Sequence, residues 1–167
     1  MGHQDILRRA SFAHVCGDSI IAAIAGLALY ASFPPVGWWW LSVPALALFL
    51  SRIDEARAPR ALTVTFVFGM SFWLPLIDWI PLAVGTTPPW FVLALVQTFF
   101  FMGWVVFTRW TQLWRWARGP LVQALLFALT WTGVDAARSR WPWSGFPWGS
   151  VALPQVDSPL GHLAPYG

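Results

Sequence analysis

Residues 90–108 read WFVLALVQTFFFMGWVVFT, 19 positions without one charged side chain. In helical geometry such a run reaches roughly 28 Å, close to the roughly 30 Å hydrocarbon core of a bilayer. Polar and basic residues 109–118 follow it, and the turn before it, residues 81–89, carries no charge. Similar runs lie on both sides. Upstream, residues 15–33 are mostly apolar as far as Pro34-Pro35 and fit a span if Asp18 sits at the interface; residues 36–50 continue apolar, and residues 61–80 add a run with Pro75 and Asp78 near its end. Downstream, residues 121–137 make one more. The pattern predicts an all-α fold, a polytopic transmembrane bundle of about five spans at 15–33, 36–50, 61–80, 90–108 and 121–137. An aromatic segment rich in Pro and Gly follows, residues 138–167.

Composition points the same way. Of 167 residues, 57% are hydrophobic and 10% charged, with a mean hydropathy of +0.59. A soluble domain carries roughly 25% charge, and a water-facing surface cannot be built from so little. The ten basic residues are all arginines, gathered at segment ends rather than spread over a basic face, which argues against a nucleic-acid partner. A single cysteine excludes an intrachain disulfide and a cysteine zinc site. Nothing in the sequence calls for a metal or another cofactor.

Arginine placement sets the expected orientation. Arg8, Arg9, Arg52, Arg57, Arg60, Arg109, Arg115 and Arg118 fall at alternate ends of successive spans, hence on one side, while the turns at Pro34 and at 81–89 have none. Basic residues in short loops stay in the cytoplasm. Residues 1–18 are therefore expected inside, 19–137 in the membrane and 138–167 at the outer face. Trp38, Trp39, Trp40, Trp79, Trp90, Trp110, Trp114 and Trp116 lie near predicted span ends, where an amphipathic ring prefers to sit. Arg8-Arg9 ahead of an apolar run invites a signal-peptide reading, but that run lacks a clear cleavage site.

Few residues could carry chemistry. Cys16 has His14 two positions away, on a different helical face, so the thiol reads as a small apolar filler rather than a nucleophile. Asp78 is either a site or a solvated helix end. Trp131, Asp135 and Arg138, spaced i, i+4, i+7, share one stripe of the last predicted helix, and Asp135 and Arg138 can pair at i, i+3. That pair either pins the helix end or underlies a site where an arginine meets a lipid phosphate. Beyond it, Arg140-Trp141-Pro142-Trp143-Ser144-Gly145-Phe146-Pro147-Trp148-Gly149 interleaves tryptophans with prolines and glycines and cannot continue a helix. It predicts a rigid aromatic segment at headgroup level, an acyl-chain platform or an interface anchor.

The stripe Trp131-x-x-x-Asp135-x-x-Arg138, the Gly145-Phe146-Pro147-Trp148 turn and the run 155–167, with Asp157-Ser158-Pro159-Leu160 and Leu163-Ala164-Pro165, resemble in order and spacing the membrane region of bacterial apolipoprotein N-acyltransferases. Phe33-Pro34-Pro35 leading into tryptophans resembles that family's first hairpin, and Gly69-Met70-Ser71-Phe72-Trp73 followed by Trp79-Ile80 its third span. The resemblance covers residues 26–167. Asp135 departs from it, standing where the family usually has glutamate. The resemblance implies an enzyme of the bacterial cytoplasmic membrane that moves an acyl chain from a membrane phospholipid to the α-amino group of a lipoprotein's N-terminal diacylglyceryl-cysteine. It also implies a cysteine, glutamate and lysine in a nitrilase-like domain, the cysteine forming a thioester and the lysine steadying the oxyanion.

No such triad can be assembled here: the sequence has no lysine, and its one glutamate, Glu55, is in an inner loop. The expectation is therefore the membrane portion of such an enzyme, as a truncated chain, a gene fragment or half of a split protein. It would hold no catalytic residue, and Trp131, Asp135, Arg138, Trp141, Trp143, Phe146, Pro147 and Trp148 would meet lipid. The alternative is a non-enzymatic membrane protein, a transporter subunit or a partner of lipoprotein-processing enzymes. A transporter usually shows internal repeats or interrupted helices, which are not visible here.

Overall fold

Proline loses nothing in the first turn of a helix, where its missing N–H would have no partner, and four helices here have one at that position. The structure is a computed structural model; it describes residues 3–114, 119–142, 144–159 and 161–162, with side chains from residue 15 onward except Glu55. Arg115, Trp116, Arg118, Trp143, Leu160 and residues 163–167, and the side chains of Arg8, Arg9, His14 and Glu55, lie outside the described residues. The elements are α1 (His3–Ala31), α2 (Ser42–Glu55), α3 (Ala58–Leu76), α4 (Ile80–Val84), α5 (Pro88–Gln112) and α6 (Pro120–Arg138), with 3-10 turns at Trp39–Leu41 and Leu153–Asp157.

α3 is the central helix, packed on α1, α2 and α5, while α6 packs along α5. Close approach is made by two glycines. A Cβ on Gly26 of α1 would stand 2.5 Å from the Phe68 carbonyl oxygen of α3, and one on Gly69 of α3 would stand 2.7 Å from the Thr98 side chain of α5. Small residues at such crossings let helix backbones meet, and the larger rings then fill the space beside them. Phe49 stacks on Phe68 at 4.0 Å between ring centroids, and Phe101 lies 6.1 Å from Phe68, 5.7 Å from Trp73 and 5.2 Å from Trp131. This aromatic column runs from α2 through α3 and α5 to α6. Trp104 of α5 lies beside it, between Phe49 and Trp131, with its indole N–H donating to Thr130 Oγ1 at 3.0 Å.

The expectation of about five spans is corrected by the helix lengths. Among the described residues, two helices, Pro88–Gln112 and Pro120–Arg138, are long and apolar enough to cross a membrane. The runs at 90–108 and 121–137 fall inside them. The runs at 15–33, 36–50 and 61–80 do not give spans: the apolar part of α1 is Val15–Ala31, α2 has only 14 residues, and the first turn of α3 contains Pro59 and Arg60. Fourteen helical residues reach about 21 Å, short of the roughly 30 Å required. The physical reason is that an apolar residue records burial without naming what buries it. Phe68, Phe72 and Trp73 of α3 are covered by protein.

Polar contacts tie the ends of the bundle. Asp18 of α1, expected at an interface, is instead buried and ion-paired with Arg60 of α3, with Arg52 of α2 4.0 Å away. Arg109 of α5 donates to the carbonyls of Ile53 and Ala56, the latter at 2.6 Å, and so caps the end of α2. At the other end the Trp90 indole donates to the Leu74 carbonyl at 2.9 Å, and Gln155 Nε2 donates to Ser42 Oγ at 2.7 Å.

Candidate functional site

α6 ends on Arg138, which is 1% exposed. An isolated cation cannot be buried so deeply, and its surroundings show how the cost is met. Nη2 donates to Asp135 Oδ1 one turn earlier, and Nη1 donates to the carbonyls of Phe146 at 3.1 Å and Trp148 at 2.5 Å. The guanidinium carbon lies 5.1 Å from the ring centre of Trp73 on α3, a cation–π contact. Asp135 is held from its other side by Ser150 Oγ, which donates to Oδ2 at 2.8 Å. The Phe146 N–H donates in turn to the Arg138 carbonyl at 2.8 Å. One ion pair therefore clasps the loop at residues 144–150 onto the end of α6 and over Trp73.

Glycines let the loop come this close. Gly145 and Gly149 both have positive φ, +73° and +74°. A Cβ on Gly149 would stand 2.5 Å from the Trp73 ring, and one on Gly145 would run into the Ser139–Arg140 backbone. The chain then turns so that Trp148, 47% exposed, meets Trp79 edge to face at 5.8 Å. Trp141 is more exposed still and touches Phe100 of α5 at 6.1 Å. Pro147 is exposed between Phe146 and Trp148. The result is an aromatic platform on a buried ionic base.

Of the residues singled out in the sequence, Asp135, Arg138, Phe146 and Trp148 come together in the clasp, and Trp131 lies beneath it against Phe101, Trp104 and Phe127. Trp141 and Pro147 stand at its edge, and Trp143 is outside the described residues. Asp78 is exposed in the turn between α3 and α4. Cys16, read as an apolar filler, is exposed on α1 and fills no core space. Trp73, Gly149 and Ser150 belong to the clasp but are not among the lipid-contact residues expected from the sequence. A glycine among prolines and tryptophans is a usable sign of close backbone approach, whereas Ser150 carries no mark of its own. The buried Trp73 Nε1 and Gln97 Oε1 have no hydrogen-bond partner among the described residues. No three His, Cys, Asp or Glu side chains among them come together to hold a metal ion.

The class defined by fold and site is an all-α protein with helices of membrane-crossing length and a clasped aromatic loop at one end. The family model described as the apolipoprotein N-acyltransferase N-terminal domain matches residues 25–167, and the chain belongs to that family. Apolipoprotein N-acyltransferase of Mycolicibacterium smegmatis is 39% identical over 88 residues, 51% of this chain and 14% of that protein. The Pseudomonas putida enzyme of that name is 31% identical over 157 residues, covering 89% of this chain and 31% of its own length, and the Azotobacter vinelandii enzyme is 28% identical over 160 residues, covering 89% and 30%. The chain thus spans at most about a third of these relatives.

Proposed function

We propose that this chain is the membrane part of an N-acyltransferase of the bacterial cytoplasmic membrane. The enzyme takes an acyl chain from a membrane phospholipid and places it on the α-amino group of the diacylglyceryl-cysteine that begins a lipoprotein. The aromatic segment from residue 138 onward lies at the outer face of that membrane. The family match across residues 25–167 is the observation that carries this reading. These 167 residues contain no lysine, so a glutamate, lysine and cysteine set acts from a nitrilase-like domain outside them.

The exposure of the loop's rings supports a lipid-contact role for it. The rings of Trp141 and Trp148, with Pro147 and the half-buried Phe146 beside them, form the surface along which an acyl chain or headgroup lies. Trp143 belongs to the same loop in sequence. Asp135, Arg138 and Trp131 act from beneath, because a loop fixed before the lipid arrives orders little on binding.

The test joins residues 1–167 to the remaining length of the Pseudomonas putida relative and supplies phospholipid and a synthetic diacylated lipopeptide. Acyl transfer by the chimera is expected, and none by the 167 residues alone. Transfer by these residues alone, or an inactive chimera beside an active parent, overturns the reading. Within an active chimera, Trp148→Ala should lower transfer roughly tenfold, the loss of about 1.4 kcal/mol of positioning. Unchanged transfer in both Trp148→Ala and Arg138→Ala would remove the loop from the function.

A further inference from the structure

Residues 79–89, WIPLAVGTTPP, lead from α3 to α5 without a charge. They fold into α4 with Ile80 buried beneath it, and the helix is closed by Gly85, φ +79°, whose N–H donates to the Pro81 carbonyl at 2.9 Å. Leu82, at 89%, is the most exposed large apolar side chain among the described residues, and Val84 is exposed beside it. Scattered exposed apolar residues need no explanation, but neighbouring ones on an uncharged turn mark a surface that something apolar covers.

The height of α4 says what that is. Asp78, the single charge between Arg60 and Arg109, is exposed just before α4, and a carboxylate there belongs at the water boundary. Counted up from Arg109, the 21 residues from Thr108 to Pro88 are uncharged. They rise about 31 Å, the thickness of a hydrocarbon core. α5 thus begins at the boundary, and α4, separated from it by residues 85–87 and packed on it, lies at the same level. Phe91 and Val92 at the start of α5 are exposed as well, so the apolar surface of α4 adjoins that of a helix long enough to cross the membrane. Trp79, the residue before α4, is the edge-to-face partner of Trp148. We propose that α4 is an in-plane membrane anchor: Leu82 and Val84 enter the leaflet at the tryptophan-rich end, and the Trp79–Trp148 contact passes that height on to the clasped loop. The anchor rests on the reading that this end of the protein meets lipid, and it gives the loop a fixed depth there.

The test places one nitroxide on the full chain in phosphatidylcholine vesicles and compares its collisions with oxygen, which concentrates in lipid, and with a nickel chelate, which stays in water. Cys16→Ser removes the only native thiol, and Leu82→Cys, Asp78→Cys or Pro147→Cys then carries the label. Oxygen is expected to prevail at residue 82 and the chelate at residue 78. A residue 82 that favours the chelate puts α4 in water and overturns the anchor. A residue 82 reached by neither puts α4 under protein, a second copy included, and overturns it equally. With the label at residue 147, Leu82→Asp together with Val84→Asp should shift the ratio toward the chelate, because both positions are exposed and a carboxylate is drawn to water. An unchanged ratio refutes the coupling of α4 to the loop. An inactive chimera with residue 82 in lipid would defeat the acyl-transfer reading alone, and an active chimera with residue 82 in water the anchor alone.

Discussion

At the tryptophan-rich end of the bundle, Arg138 pairs within its own helix, three residues from Asp135, and its remaining described bonds hold the backbone at Phe146 and Trp148. At the arginine-rich end, Arg60 reaches Asp18 across 42 residues, and Arg109 reaches carbonyls 53 and 56 residues away. The first arrangement fixes a loop on a helix; the second fixes helices on one another. They also differ in exposure, since the Arg138 side chain is 2% exposed and that of Arg60 is 33% exposed. Water and salt reach the second pair at its arginine and the first only at Asp135, whose side chain is 24% exposed, so the two pairs contribute differently.

The contrast predicts a hierarchy of losses. Arg138→Ala leaves two carbonyls without their donor and Asp135 with Ser150 alone, and should destabilise the protein by about 3–5 kcal/mol. Equilibrium unfolding in mild detergent measures it, and a loss within about 0.5 kcal/mol would make the clasp dispensable to stability. Gly149→Ala forces a left-handed residue and a contact with the Trp73 ring together, for about 2–3 kcal/mol. Amide exchange should quicken at residues 146–150 while the α1–α3 crossing stays protected; uniform loosening would show that the loop and bundle are one unit. Asp18→Asn should cost only about 1 kcal/mol, discounted for the partly exposed arginine, and the loss should shrink as salt is raised. A salt-insensitive loss as large as that of Arg138→Ala would erase the difference between the two ends.

Much of the fold is legible along the chain. Residues 90–108 and 121–137 are uncharged or nearly so and uninterrupted, and α5 and α6 form there. Residues 36–50 and 61–80 look similar in composition, yet α2 is too short for a bilayer and α3 is wrapped by its neighbours. Nothing in a local run says whether lipid or another helix will cover it. The same limit applies at the clasp. The pairing of Asp135 with Arg138 follows from helical spacing, while the contacts with Trp73 and Ser150 join positions that no local period relates.

By itself the sequence determined the all-helical class, the place of the longest apolar helices, the i, i+3 ion pair and a loop that cannot be helical. All follow from short-range rules of periodicity, charge and proline or glycine geometry. Tertiary structure alone decided that α3 is the buried centre, that Asp18 belongs to Arg60, and that Arg138 faces inward beneath the tryptophans rather than outward. Those outcomes depend on which surfaces meet when helices pack, and that is settled by glycines at crossings and by rings filling the space between them, across tens of residues of chain.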